Sequence, residues 1–152
     1  MADERALWNN ERREFLLELL LEQTALGKRC DGGNGWKKEA WQVVVNSLNE
    51  KFEVKFNTKQ MKECFNNLKK EYQLVKELRN LSGFGWNSEA QMVTAKADVW
   101  DAYVAEHKDA KRFRGKIWPF WDAMHQLLDG RIPTGEAKLY PTMNGIPSTV
   151  IC

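Results

Sequence analysis

Residues 58–79, TKQMKECFNNLKKEYQLVKELR, read as one helix of about six turns at 3.6 residues per turn. Met61, Phe65, Leu68, Tyr72 and Val75 recur at spacings of four and three, which places them on one helical face. Lys59, Lys62, Glu63, Asn66, Lys70 and Gln73 fall on the opposite arc. No Gly or Pro interrupts the run, and Thr58 is the expected N-cap. One side of this helix is expected in a core. The other is rich in Lys and Asn/Gln, groups that reach phosphates and base edges.

The rest of the chain reads as a support for that helix. Its 152 residues suit one domain with a tail, and 43% apolar residues are enough for a core. Seven Trp, seven Phe and three Tyr supply much of the core volume. Net charge is only +2, but it is unevenly spread. Residues 1–26 carry six acidic and three basic side chains, 51–70 carry six Lys against two Glu, and 108–116 carry five Lys/Arg against one Asp. Such a division gives a field with direction, able to steer a polyanion to one side.

Cys30, Cys64 and Cys152 form an odd, scattered set without a CxxC pair or a His cluster, so no metal site is expected. The pattern argues for a reducing compartment. No run reaches the roughly 18 apolar residues of a membrane span. The loop Gly27–Gly35 lacks GxxxxGK[ST] and is read as a connector, not a phosphate cradle. His107 and His125 are isolated, and no Ser-elbow or HExxH motif places a carboxylate for catalysis. The expectation is therefore no enzyme, no cofactor and no small-molecule substrate.

Before the long helix, Asn9 or Asn10 can cap a helix reaching about Gln23, with Trp8, Phe15, Leu16, Leu19 and Leu20 on its apolar side. Asn34 is the expected cap of a helix from Trp36 to about Phe52, striped by Trp41, Val44, Val45, Leu48 and Phe52. After it, Ser82–Trp86 (SGFGW) ends the run, with Gly83 and Gly85 able to take positive φ. A fourth helix is expected from Ala95 to about His107 with Thr94 as cap, then a basic loop to Lys116, then a fifth helix opening at Pro119. The predicted class is all-α. Domain boundaries are expected at 1–7 (disordered N-terminus), 8–81 (three-helix core), 82–130 (helical extension on the core) and 131–152 (disordered tail or linker).

Three helices carry an aromatic at a corresponding core position: Trp8, Trp41 and Phe65. They resemble the regularly spaced tryptophans of Myb repeats, at longer spacings of 33 and 24 residues. FLLELLLEQ, GWKKEAWQVVVNSLNEKF, TKQMKECFNNLKKEYQLVKEL, SGFGW, VWDAY and FWDAMHQLL, in that order over about 8–130, look like the Myb/SANT-like domain of plants and fungi, a relative of trihelix factors sometimes found near transposons. The resemblance implies a three-helix Myb/SANT-like helix-turn-helix bundle with a C-terminal extension. It also implies a nuclear binder of double-stranded DNA in transcription regulation or a transposon-associated role. The structural core would be Trp8, Phe15, Trp41, Leu48, Phe65 and Leu68. Carried over from Phe65, Lys62 matches a base- and phosphate-contacting lysine and Asn66 a base-contacting asparagine. Lys59 and Lys70 would join them in the groove, while Lys55, Lys69, Lys111, Arg112, Arg114 and Lys116 hold phosphates. Glu63 falls where DNA-binding Myb repeats often carry Asn or another polar reader. It can accept from cytosine N4 yet repels phosphate. With Glu71, Glu77 and the acidic first helix, it supports the alternative of a SANT-type module that binds chromatin proteins or a transposase. An ordinary solvated helix side competes with both readings.

Overall fold

The computed structural model describes residues 8–30 and 35–129. The expected tails and the Asn34 cap lie outside these residues. Helices run over Asn10–Ala25 (α1), Lys38–Phe52 (α2), Thr58–Arg79 (α3), Ala97–Glu106 (α4) and Trp121–Leu128 (α5), with a 3-10 helix at Lys108–Phe113. A β-hairpin, Phe84–Asn87 (β1) and Met92–Ala95 (β2), sits between α3 and α4. The all-α expectation is therefore corrected to a mostly helical fold with one two-stranded sheet. None of the described helices is long and apolar enough to cross a membrane.

The described chain forms two compact units: residues up to Cys64 together with those from Asp122, and residues Phe65–Trp121. The division falls within α3. Helix α3 ends at Arg79 and the hairpin begins at Phe84, on either side of the expected 81/82 boundary.

In the first unit α1 packs on α2. Asn9 caps α1 by accepting from the Arg12 N–H at 2.8 Å. Leu16, Leu17, Leu19 and Leu20 of α1 are buried, as are Ala40, Trp41, Val44, Val45 and Leu48 of α2. Trp8 is half-buried and stacks on Phe56 with centroids 4.6 Å apart. Phe15, also half-buried, meets the Phe52 ring edge-on at 5.8 Å. Both rings therefore lie at the margin of the core, not at its centre. Helix α2 begins at Lys38, with Lys37 at its N-cap and no side-chain cap bond, so Trp36 precedes the helix.

The described residues on either side of the connector before α2 make specific contacts. Arg29 and Trp36 pair as an antiparallel bridge, and the Arg29 guanidinium lies 4.2 Å from the Trp36 ring centre. Its Nη1 donates to the Leu127 carbonyl at 3.0 Å, satisfying a C-terminal group of α5. Trp36 Nε1 donates to Thr24 Oγ1 at 3.0 Å.

In the second unit, α3 ends at Arg79 and Gly83 takes φ +88°. Gly85 does not take positive φ; it lies in β1, where an added Cβ would meet Thr94 Oγ1 at 3.1 Å. The register pairs Phe84 with Ala95 and Trp86 with Val93. The Asn87 side chain accepts from the Glu89 and Ala90 N–H groups, which closes the turn. Thr94 belongs to β2, so α4 starts at Ala97 with Lys96 at its N-cap. Phe84 packs edge-on against Trp100 at 5.0 Å and Tyr103 at 5.6 Å. Tyr72 lies 4.8 Å from Trp121, and Arg79 sits over the rings of Trp86 and Trp121. Trp118 is buried and donates from Nε1 to Glu71 Oε1 at 2.9 Å. Pro119 and Phe120 form a turn, and α5 starts at Trp121, two residues after the expected start at Pro119.

Candidate nucleic-acid interface

Helix α3 is positioned by the turn before it. Glu53 takes the left-handed conformation at the C-cap of α2. Asn49 then grips the next segment: its Nδ2 donates to the Phe56 carbonyl and its Oδ1 accepts from the Phe56 N–H, both at 2.9 Å. Asn57 and Gln60 form a reciprocal capping box, Asn57 Oδ1 accepting from Gln60 N at 2.8 Å and Gln60 Oε1 from Asn57 N at 2.9 Å. Asn57, not Thr58, is thus the residue that caps α3.

With about 100° per residue, the faces of α3 follow from its sequence. Met61, Cys64, Phe65, Leu68, Tyr72, Val75 and Leu78 are all buried. Lys59, Lys62, Glu63, Asn66, Lys69, Lys70 and Gln73 are all exposed. Lys59, Asn66 and Gln73 recur every seven residues, so they share a line along the helix, with Lys62 and Lys70 on either side of it. Glu63 lies towards one margin of the arc. Gln73 and Asn67 are exposed on the same arc although neither is among the predicted contacts. For Gln73, the seven-residue repeat was the available signal.

These side chains are largely uncommitted. Those of Lys55, Lys59, Glu63, Asn66 and Lys70 make no hydrogen bond or ion pair with other described residues. The Lys62 ammonium lies 5.8 Å from the Trp41 ring centre, and that of Lys69 lies 6.0 Å from the Phe65 ring centre. At such distances each ring guides the stem and leaves the head in water.

The basic segment 108–116 differs. It forms the 3-10 helix, anchored by buried Ala110 and Phe113. Arg114 donates to Asp101 Oδ1 at 2.8 Å, and Arg112 Nη1 is 3.9 Å from Glu71. Lys111 and Lys116 are exposed and form no ion pair among the described residues. Of the acids set against a DNA face, Glu71 is turned inwards to Trp118, whereas Glu63 and Glu77 are exposed.

Residues 7–103 match the Myb/SANT-like DNA-binding domain family. The chain is 25% identical over 138 residues to the L10-interacting MYB domain-containing protein of Arabidopsis thaliana, covering 91% of this chain and 30% of that protein. It is 25% identical over 130 residues to an uncharacterized Arabidopsis thaliana protein, covering 85% of this chain and 42% of the other. It therefore spans less than half the length of either relative. No solved structure matches it. With more than half its length matched, and with an exposed, lysine-rich helix in the third position, the chain belongs to the Myb/SANT-like DNA-binding domain family.

Proposed function

We propose that the chain is a nuclear DNA-binding module in which α3 enters the major groove. Lys59, Lys62, Asn66 and Lys70 meet base edges and nearby phosphates, while Lys55 and Lys69 hold the backbone. Lys111, Arg112, Arg114 and Lys116 supply further phosphate contacts, the two arginines only by giving up their present carboxylate partners. The observation that carries this reading is the exposed arc of Lys and amide side chains on α3, which Glu63 interrupts towards one margin. Amides there can pair with a base edge, and flanking ammonium groups can neutralise phosphates on either side of the groove. Transcription regulation or a transposon-associated role would follow from the site bound.

The test is duplex binding measured against salt. If Lys55, Lys59, Lys62, Lys69 and Lys70 each neutralise one phosphate, the log–log slope is about −4.5, a roughly 500-fold loss between 50 and 200 mM salt. Asn66→Ala should cost about 1–3 kcal/mol on the preferred sequence and relax one base preference. Lys69→Ala should weaken all duplexes alike. No duplex binding at low salt would overturn the proposal.

A second reading is a SANT-type protein-interaction module engaging chromatin factors or a transposase. It draws on Glu63 within the exposed arc and on the Arabidopsis relative, whose name records an interaction with L10.

A further inference from the structure

The unit Phe65–Trp121 carries an open apolar groove that the DNA reading does not use. A cavity of about 540 Å³ is lined by Leu81, Phe84, Val99, Ala102 and Tyr103, with Asp98 and Glu106 at its edges. A second, of about 260 Å³, shares Tyr103, Glu106 and His107 with the first and runs on past Leu74 and Leu78 to Glu77 and Asp109. The groove follows from local structure. At Gly83 the chain turns with φ +88° so closely against α4 that an added Cβ would meet Val99 Cγ1 at 3.3 Å. This turn leaves the last residues of α3 and the side of α4 facing one another across open space. Tyr103 and His107 stack at 4.0 Å to form a flat aromatic wall.

The rim is acidic. Asp98, Glu106, Glu77 and Asp109 are all exposed, and none forms an ion pair among the described residues. Lys108 is the lysine in the lining, and His107 is its other basic group. The Tyr103 hydroxyl is held above its ordinary range by burial and then by the Glu77 carboxylate, as expected beside a negative field.

We infer that this groove docks a basic amphipathic helix of a partner protein, its aliphatic face on Leu81, Phe84, Val99 and Ala102 and its Lys/Arg side chains against Asp98, Glu106, Glu77 and Asp109. Apolar volume on this scale takes a few aliphatic side chains spaced at i, i+3/i+4 and i+7. Four unpaired carboxylates select a cationic flank and reject an acidic one. A polyanion is repelled here, so the surface is complementary in kind to the lysine arc of α3.

The full chain is titrated into a fluorescein-labelled peptide with Leu on one helical face and Lys on the other. Two control peptides replace every Lys with Glu or scramble the order. The Leu/Lys peptide should bind at least about tenfold more tightly than either control. Ala102→Arg fills the groove and adds a like charge while keeping a good helix former, and should weaken that binding by about tenfold. The Asp98→Lys/Glu106→Lys double variant should weaken it too. Melting temperature and duplex binding of Ala102→Arg should match the parent, which separates loss of the groove from loss of fold. Equal affinity for the three peptides, or binding that survives Ala102→Arg, would overturn the assignment. So would an Ala102→Arg-sensitive dimer, which would put a second copy of the chain in the groove.

Discussion

Asn49→Ala is the substitution that most directly probes how α3 is held. Asn49 is half-buried at the end of α2, and its amide makes two 2.9 Å hydrogen bonds to the backbone of Phe56. The side chain acts as a surrogate strand edge, using its donor and acceptor together on one peptide segment. An intramolecular hydrogen bond is worth about 1 kcal/mol net, so two account for about 2 kcal/mol. The Phe56 N–H and carbonyl would then rely on whatever water reaches a residue that is only 5% exposed. That desolvation raises the expected cost to about 2–3 kcal/mol, or a fall of about 6–9 °C in Tm for a chain of this size. Chemical denaturation followed by far-UV circular dichroism measures it. Asn46→Ala is the control: Asn46 is exposed on the same helix and accepts only from Gln42, also exposed. Its substitution should stay within about 0.5 kcal/mol. If Asn49→Ala is no worse than Asn46→Ala, the Phe56 segment is fixed by something else, such as the stacking of Trp8 on its ring, and the clamp is not what sets the start of α3.

Trp118→Phe keeps an aromatic ring but removes the N–H donated to Glu71, and should cost about 2 kcal/mol by thermal melt; a loss below about 0.5 kcal/mol would show that the bond is idle. Glu63→Gln removes a carboxylate from the α3 arc and should tighten duplex binding several-fold at low salt, with the gain fading as salt rises; weaker DNA binding would make Glu63 a reader of cytosine. The Lys28 ammonium holds the Glu39 carboxyl below the ordinary carboxylate range, first through a 2.6 Å hydrogen bond and then through its charge. A depressed folded value means stability present above the unfolded value and lost as pH falls through the folded one. Lys28→Met should therefore be slightly less stable than the parent at neutral pH, with the gap closing on acidification; a gap that widened in acid would refute the pairing.

What was legible in the sequence is what depends on neighbours a few residues away. The α3 faces could be read because helical periodicity is local, and the burial of Met61, Phe65, Leu68, Tyr72 and Val75 follows it. The caps were harder, since several polar residues near a helix start compete and backbone geometry chooses among them. Asn57 beats Thr58 because Gln60 three residues on can return the bond. The hairpin escaped notice because its strands are four residues each and one contains Gly85. Its stability comes from Phe84 on Trp100 and Tyr103 and from Trp86 near Trp121, contacts that no short window contains.

Partnership between distant charges is the part that sequence could not disclose, and it changes the weight given to each basic group. Counting Lys and Arg ranks 108–116 beside α3 as a polyanion surface. In the fold, however, Arg114 is held by Asp101 and Arg112 lies near Glu71, the carboxylate that also receives Trp118. Recruiting either arginine to a phosphate trades away an existing interaction, so the net gain is smaller than its charge suggests. Lys59 and Lys70 have no such bond to give up. A duplex should thus feel the α3 lysines more strongly than the arginines of the 3-10 segment. Alanine at Lys59 or Lys70 should reduce the salt slope by about one, the full effect of a released counterion, while alanine at Arg114 should reduce it by less.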